Sequence, residues 1–228
     1  MLLAFTTPGE NALIHTPPGD RAAAMGMVTD SAMVVCAHPL ATAIGVAVLQ
    51  EGGNAVDAAV AVHWALAVVA PWAGNIGGGG LLVMRDADGT VRTLDFRETA
   101  PAAARRDMYL DPAGHPIENM SQLGHRAVGV PGSVAGLFAA HDSLGRLPMV
   151  RLIQPAIDLA RQGFPLTTLE ARELNSKTEI IGKASTRPNP FITKLHWSAG
   201  DTLRLAELAG TLERIRDQEM AGFYQGRT

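Results

Sequence analysis

One cysteine, Cys36, occurs in 228 residues, which excludes an internal disulfide. Set between Val35 and Ala37, that thiol reads as a small buried side chain rather than a nucleophile. No Cys/His cluster has metal-ligand spacing, and neither a metal nor another cofactor is expected. Aromatics make up 5% of the chain, so Ala, Val, Leu and Met must fill the core. There is no basic excess, with Lys+Arg 19 against Asp+Glu 22 and a net charge of -3, so nucleic acid is not expected as a partner. The longest apolar stretch, Ala58 to Trp72 around His63, is too short for a bilayer and is broken by Pro71, which argues against a membrane segment. No secretory signal is evident, because Met1–Phe5 is too short for its apolar region and the first Lys or Arg is Arg21. As written, the chain reads as cytoplasmic. It has no internal repeat and no low-complexity segment.

What is present is material for a core: 47% hydrophobic residues against 18% charged. The stretch Gly52 to Pro101 organises the rest. Gly52-Gly53 break the chain, Asn54 is a natural N-cap, and Asp57 favours the positive end of the helix that follows. From Ala55 to Val69 almost every residue is apolar, which predicts a helix buried all round, stopped by Pro71. Gly77-Gly78-Gly79-Gly80 then lead into Leu81-Leu82-Val83-Met84. Asp86-Ala87-Asp88-Gly89 is a turn signal, and Thr90 to Phe96 returns as the second strand of a hairpin.

A glycine run invites a phosphate-loop reading. Such loops run strand, glycines, helix, whereas here the order is helix, glycines, strand, and no Lys-Ser or Lys-Thr pair follows. The preferred reading is that the glycines open the central strand of a buried sheet and let it pass close to another backbone near a ligand.

Elsewhere, residues 1–25 form an irregular, Pro- and Gly-containing lead-in, and residues 26–228 form the structured portion. Met27 to Ala37 suggests two short strand pieces around Asp30-Ser31. His38-Pro39 starts a helix that ends at Gly52-Gly53. Asp107 to His125 is a polar surface excursion, and Arg126 to Val130 a short strand. Gly132-Ser133 open a helix to about His141. A second helix from Met149 ends at Gly163, with Pro155 kinking it or marking its start. A further helix capped by Thr167 or Thr168 reaches Leu174. Residues 176–203 read as a loop, Leu203 to Glu219 as an amphipathic helix, and the tail from Ala221 as lacking a closing element.

Arg97, at the end of the hairpin beside the glycines, is the principal candidate. A planar guanidinium grips a carboxylate through two parallel hydrogen bonds, which Lys cannot copy. The residues alone leave two readings open: a carboxylate anchor, or a structural ion pair with Asp95 or with a remote acid. Asp95 and Glu98 need not converge as an acid–base pair, and read better as orienting Arg97 and capping backbone. His63 fits a core histidine and His38 a helix cap. Ser133 lacks the G-x-S-x-G spacing of a nucleophile elbow and reads as a helix start.

Taken in order, HPLA, GGNAVDAAVA, NIGGGG, LDFRETAP and GVPGSVAG resemble the gamma-glutamyltranspeptidases, from roughly Gly26 to the C-terminus. The resemblance implies an α/β N-terminal-nucleophile hydrolase fold, an αββα sandwich that this portion leaves incomplete. It implies self-cleavage of a precursor, with the new N-terminal Thr of a small subunit as nucleophile and Arg97 contacting the glutamyl α-carboxylate. No Thr here stands in the family's Thr-Thr-His context, so no catalytic residue is assigned within the chain. Members are often periplasmic or secreted, unlike the cytoplasmic reading above.

Two functions follow. In the first, the chain is the large-subunit portion of a gamma-glutamyl transferase or glutathione hydrolase, whose partner is the small subunit bearing the Thr and whose substrate is a gamma-glutamyl small molecule. A related amide acylase, such as a cephalosporin acylase, is the nearest variant. In the second, it is a non-catalytic truncated fragment.

Overall fold

The computed structural model describes residues 29–228, so the lead-in at 1–25 and the start of the segment at Met27 lie outside the described residues. Residues 29–38 contain no regular strand, and the first element is helix α1, Pro39–Gln50. His38 caps it: its Nδ1 accepts the Leu40 N–H at 3.1 Å, and Pro39, lacking an N–H, costs nothing in the first turn. At the other end Gly52 takes a positive φ of 92°. The Gly53 N–H then reaches the Val48 carbonyl and the Gly52 N–H the Leu49 carbonyl, at 3.0 and 3.1 Å, closing the helix as a Schellman motif.

Helix α2, Ala55–Val69, starts one residue after Asn54, as the sequence predicts. Asn54 Oδ1 accepts from Val56 and Asp57, while Asp57 Oδ2 accepts the Asn54 N–H at 2.8 Å, a reciprocal capping box. Asp57 is fully buried and has a second task. Its Oδ1 accepts the Arg146 N–H at 3.0 Å, tying this helix start to a turn 89 residues away. Trp64, Val60, Val62, Val68 and Val69 are buried along α2, which is the all-round burial its composition requires.

Strands β1, Leu81–Arg85, and β2, Val91–Asp95, pair as an antiparallel hairpin with Leu81 opposite Asp95 and Met84 opposite Arg92. Helix α3 spans Ser133–Leu144 and α4 Met149–Gln162. Pro155 lies inside α4 rather than at its start. Strand β3, Phe164–Pro165, pairs with β4, Thr202–Leu203. Helix α5, Thr168–Ala184, precedes β4, and α6, Ala206–Gln218, and α7, Ala221–Tyr224, follow it. The described residues are thus mixed: helices α1, α2, α4 and α6 pack in succession, with two small sheets beside them. Leu152, Ile153 and Ile157 of α4 meet Leu212 and Ile215 of α6 in the core, and each such side chain contributes about 1.5–3 kcal/mol by leaving water.

Besides the strand pieces expected before α1, four expectations change. Helix α5 runs ten residues past Leu174 into the segment read as a loop. A full box secures its start, where Thr167 Oγ1 accepts the Glu170 N–H and Glu170 Oε2 accepts the Thr167 N–H at 2.7 Å, and Asn175 ties the part past Leu174 to the Trp197 backbone. Residues 126–130 are not a strand; they hold a 3-10 turn, His125–Ala127, and one bridge from Val130 to Thr99. The tail is closed by α7. Finally, the glycines do not open a buried central strand among the described residues, because Leu81 and Val83 are exposed on the outer hairpin face.

Candidate functional site

The site is built where β2 ends. By the period-two alternation of a strand, Leu94 and Phe96 turn inward while Thr93, Asp95 and Arg97 turn outward. The exposures agree: Leu94 and Phe96 are half-buried and Arg97 is exposed. Phe96 is the anchor of this segment. Its ring meets His63 of α2 edge-on, with centroids 6.5 Å apart. Methyl groups placed on Gly80 or Gly136 would strike it.

The glycine run passes along one side of the Phe96–Glu98 backbone. Gly80 exchanges two hydrogen bonds with Phe96, at 3.3 and 3.0 Å. A Cβ on Gly79 would come within 2.5 Å of the Phe96 carbonyl oxygen and 2.8 Å of Arg97 Cα. On the other side lies the start of α3, where Gly132 presses on the Phe96 carbonyl and Thr99 pairs with Val130 through two backbone bonds. The Phe96 carbonyl and the Arg97 backbone beside it are therefore packed against both Gly79 and Gly132, which together form the clamp. The close backbone passage expected of the glycines is present, with side-chain-free positions on both sides of the clamp.

The phosphate-loop reading also fails on geometry. The Gly132 and Ser133 amides at the start of α3 both donate to the Gly78 carbonyl, at 2.8 and 3.0 Å, so they are not presented to an anion.

Asp95 and Glu98 take the roles expected of them. Asp95 Oδ1 accepts the backbone N–H of Arg97 at 2.9 Å, which fixes the turn out of the strand. Glu98 Oε2 lies 3.3 Å from Arg97 Nε and steers the guanidinium. The alternative ion pair between the Arg97 and Asp95 side chains is not formed. Among the described residues the two terminal nitrogens of Arg97 have no partner, and the side chain is 65% exposed. A fork that is held at its base and open at its tips can receive a carboxylate.

His63 is a core histidine, but its buried Nε2 has no partner among the described residues. Burial pushes its pKa below the ordinary value, opposed in part by a hydrogen bond with the Asn75 backbone. His38 is the helix cap it was read as, and its Nε2 lies 2.9 Å from Glu170 Oε1. Ser133 is the first residue of α3. Cys36 is half-buried rather than fully buried, with its sulfur 3.1 Å from Thr42 Oγ1. A groove of about 560 Å³ lined by Asn75, Ile76, Gly77 and Phe191 opens at the far end of the glycine run and does not include Arg97.

Sequence reasoning missed Phe96, Gly132 and Gly136 as parts of this site. A signal existed, since glycines four apart share one helix face and leave room for something large to lie against it. Among the described residues, no group of three or more His, Cys, Asp or Glu could hold a metal ion, and no helix is long and apolar enough to cross a membrane.

Comparison with known proteins gives consistent matches. The family model described as gamma-glutamyltranspeptidase matches residues 41–228. The glutathione hydrolase proenzyme of Escherichia coli is 44% identical over 202 residues, covering 85% of this chain and 34% of that protein. The crystal structure of Helicobacter pylori gamma-glutamyltranspeptidase superposes with a TM-score of 0.85 at 43% identity, over 89% of this chain and 59% of that one. The Pseudomonas nitroreducens gamma-glutamyltranspeptidase complexed with L-DON gives 0.78 at 39% identity, over 88% and 58%. The chain thus spans about a third of the curated relative's length.

Proposed function

Because this chain belongs to the gamma-glutamyltranspeptidase family, we propose that it is the large-subunit portion of a gamma-glutamyl transferase or glutathione hydrolase. In this reading residues 26–228 form one unit that pairs with a small subunit carrying an N-terminal Thr. The reading is supported by one observation above all: Arg97, just past the end of β2, is 65% exposed with its two terminal nitrogens unpartnered among the described residues, next to a hairpin whose Leu81 and Val83 are also uncovered. Strands of the Thr-bearing subunit would extend the β1–β2 hairpin into the sheets of an αββα sandwich and bring the nucleophile to Arg97.

The chemistry is acyl transfer. The Thr hydroxyl attacks the γ-carbonyl of a glutathione-like amide, the amide C–N bond breaks, and the amine leaves with a proton. Water or the amino group of an acceptor then attacks the resulting ester, releasing the Thr hydroxyl. Arg97 holds the substrate's α-carboxylate throughout, and Glu98 keeps the guanidinium aimed.

The test is Arg97→Lys in the assembled two-subunit enzyme. A hydrogen bond to a charged group contributes roughly 1.5–3 kcal/mol, so kcat/KM on a gamma-glutamyl anilide is expected to fall at least ~10-fold. The corresponding 4-aminobutanoyl anilide, which lacks the α-carboxylate, is expected to be unaffected. Equal losses on both substrates would move Arg97 from the substrate site to the scaffold.

A further inference from the structure

Helix α3 begins without a side-chain cap of its own. Its N-cap is Gly132, and no side chain of its first turn accepts a hydrogen bond there. Such a start offers no side-chain acceptor of its own to the amides of the first turn. The vacancy is filled from 89 residues away. The Tyr224 hydroxyl on α7 accepts the Ala135 N–H at 3.2 Å and donates to the Pro131 carbonyl at 2.8 Å. One oxygen therefore bridges the residue before the cap and the third residue of the helix, closing the first turn from outside.

That turn is the outer jaw of the clamp on Arg97. Gly132, one residue from Pro131, presses on the Phe96 carbonyl, and the Gly132 and Ser133 amides hold the Gly78 carbonyl. α7 is itself held in place. Gly222 sits against the Arg214 carbonyl of α6, where a Cβ could not fit, and the Phe223 and Tyr224 rings meet edge-on with centroids 5.0 Å apart. A shift of the α3 start would move Gly132 against the Arg97 backbone, and a displacement of the guanidinium by about 1 Å weakens a two-point grip.

We propose that Tyr224 is a positioning residue for Arg97, capping α3 from α7 so that Gly132 holds the Phe96–Arg97 backbone at the height at which the guanidinium meets a substrate carboxylate. This inference rests on the assignment of Arg97 to the substrate's α-carboxylate. It adds a second, distant segment of the chain to the machinery that grips the substrate.

The test is Tyr224→Phe in the assembled enzyme, which removes one oxygen and keeps the ring. Two readings are taken. Amide hydrogen exchange at Ala135 is expected to speed up at least several-fold. KM for a gamma-glutamyl anilide is expected to rise about 3- to 10-fold with kcat within twofold, while the 4-aminobutanoyl anilide shows no change. Unchanged exchange at Ala135 would overturn the cap, and equal effects on both substrates, or none on either, would overturn the positioning role. Tyr224→Trp, whose ring N–H donates but cannot accept, is expected to behave as Tyr224→Phe at Ala135, and restored protection there would overturn the proposal. Arg97→Lys is measured in parallel to separate the two assignments. If it discriminates between the substrates and Tyr224→Phe does not, the fault lies with Tyr224. If Arg97→Lys does not discriminate either, the assignment of Arg97 has failed and takes this one with it.

Discussion

Gly136 of α3 lies against the ring of Phe96 so closely that a methyl group at position 136 would fall inside the ring's van der Waals envelope. Two opposing effects bear on Gly136→Ala. Alanine is the better helix former by about 1 kcal/mol. Overpacking a filled site costs typically 1–3 kcal/mol, and this ring has little freedom to retreat, since Gly80 and His63 close its other sides. Overpacking should win, giving net destabilisation of about 1–2 kcal/mol in the denaturant midpoint. In a Phe96→Leu background the same substitution should cost nothing or stabilise. A cost that persists without the ring would show that the glycine is needed for another reason.

A second prediction concerns a buried pair. His38 Nδ1 accepts from Leu40, which places the ring proton on Nε2, and that nitrogen faces Glu170 Oε1 at 2.9 Å. Glu170 Oε2 meanwhile accepts the Thr167 N–H. One carboxylate oxygen thus accepts a backbone N–H, and the other lies at ion-pair distance from His38 Nε2 without hydrogen-bond alignment, in a site where each side chain is 5% exposed. Glu170→Gln replaces one acceptor by an NH₂ group that must point at a donor. Leaving buried polar groups unmatched costs about 1–3 kcal/mol, so Glu170→Gln should lower the denaturant midpoint by that amount. Glu179→Gln on the same helix, where Glu179 meets Lys183 on an exposed face, should stay within about 0.5 kcal/mol of the parent. Equal effects at the two sites would refute the claim that Glu170 joins the starts of α1 and α5.

A third prediction follows from His63. Burial lowers its pKa from the ordinary 6.5, so between that value and the lower folded one the unfolded chain binds the extra proton. Stability is then fully present above pH 6.5 and is lost as pH falls toward the folded pKa, with a slope from this proton of at most about 1.4 kcal/mol per pH unit. His63→Gln, which does not titrate, should flatten that part of the stability profile. A slope between pH 7 and 5 identical in both proteins would assign the proton uptake elsewhere.

The parts of the fold that could be read in the sequence are those where local chemistry and burial agree. Asn54 and Asp57 announced the start of α2, and an unbroken apolar run announced that it is buried. Arg97, Asp95 and Glu98 could be placed because a hairpin signal fixes their alternation. Helix α5 was cut short because its second half, Asn175 to Ala184, is polar, and its support comes from the capping box and from Asn175 bonding Trp197 across 22 residues. The clamp itself was hidden, since Gly79, Gly132, Gly136 and Phe96 come together only through tertiary contacts. Tyr224 gave no local signal at all, because its role exists only at Pro131 and Ala135.

The last prediction concerns the outer face of the hairpin. Cross-strand register puts Leu81 beside Asp95 and Val83 beside Thr93, and Leu81, Val83 and Val91 are 69%, 55% and 60% exposed. On the inner face Leu82, Met84 and Leu94 pack on the core. A two-stranded hairpin that is apolar on both faces is not a finished surface, and in water such a patch favours association. Residues 1–228 alone are therefore expected to bind a hydrophobic dye and to self-associate. Their gamma-glutamyl anilide turnover should not exceed a buffer blank, because no Thr in the chain has the Thr-Thr-His context. Leu81→Lys with Val83→Thr should reduce both dye binding and association, whereas changing exposed Ile180 on α5 should not. In the assembled enzyme the same order holds: the hairpin pair should weaken subunit pairing and Ile180 changes should leave it alone. A dye-silent, monodisperse chain would argue that the hairpin needs no cover, and would remove the surface on which the Thr-bearing subunit is placed.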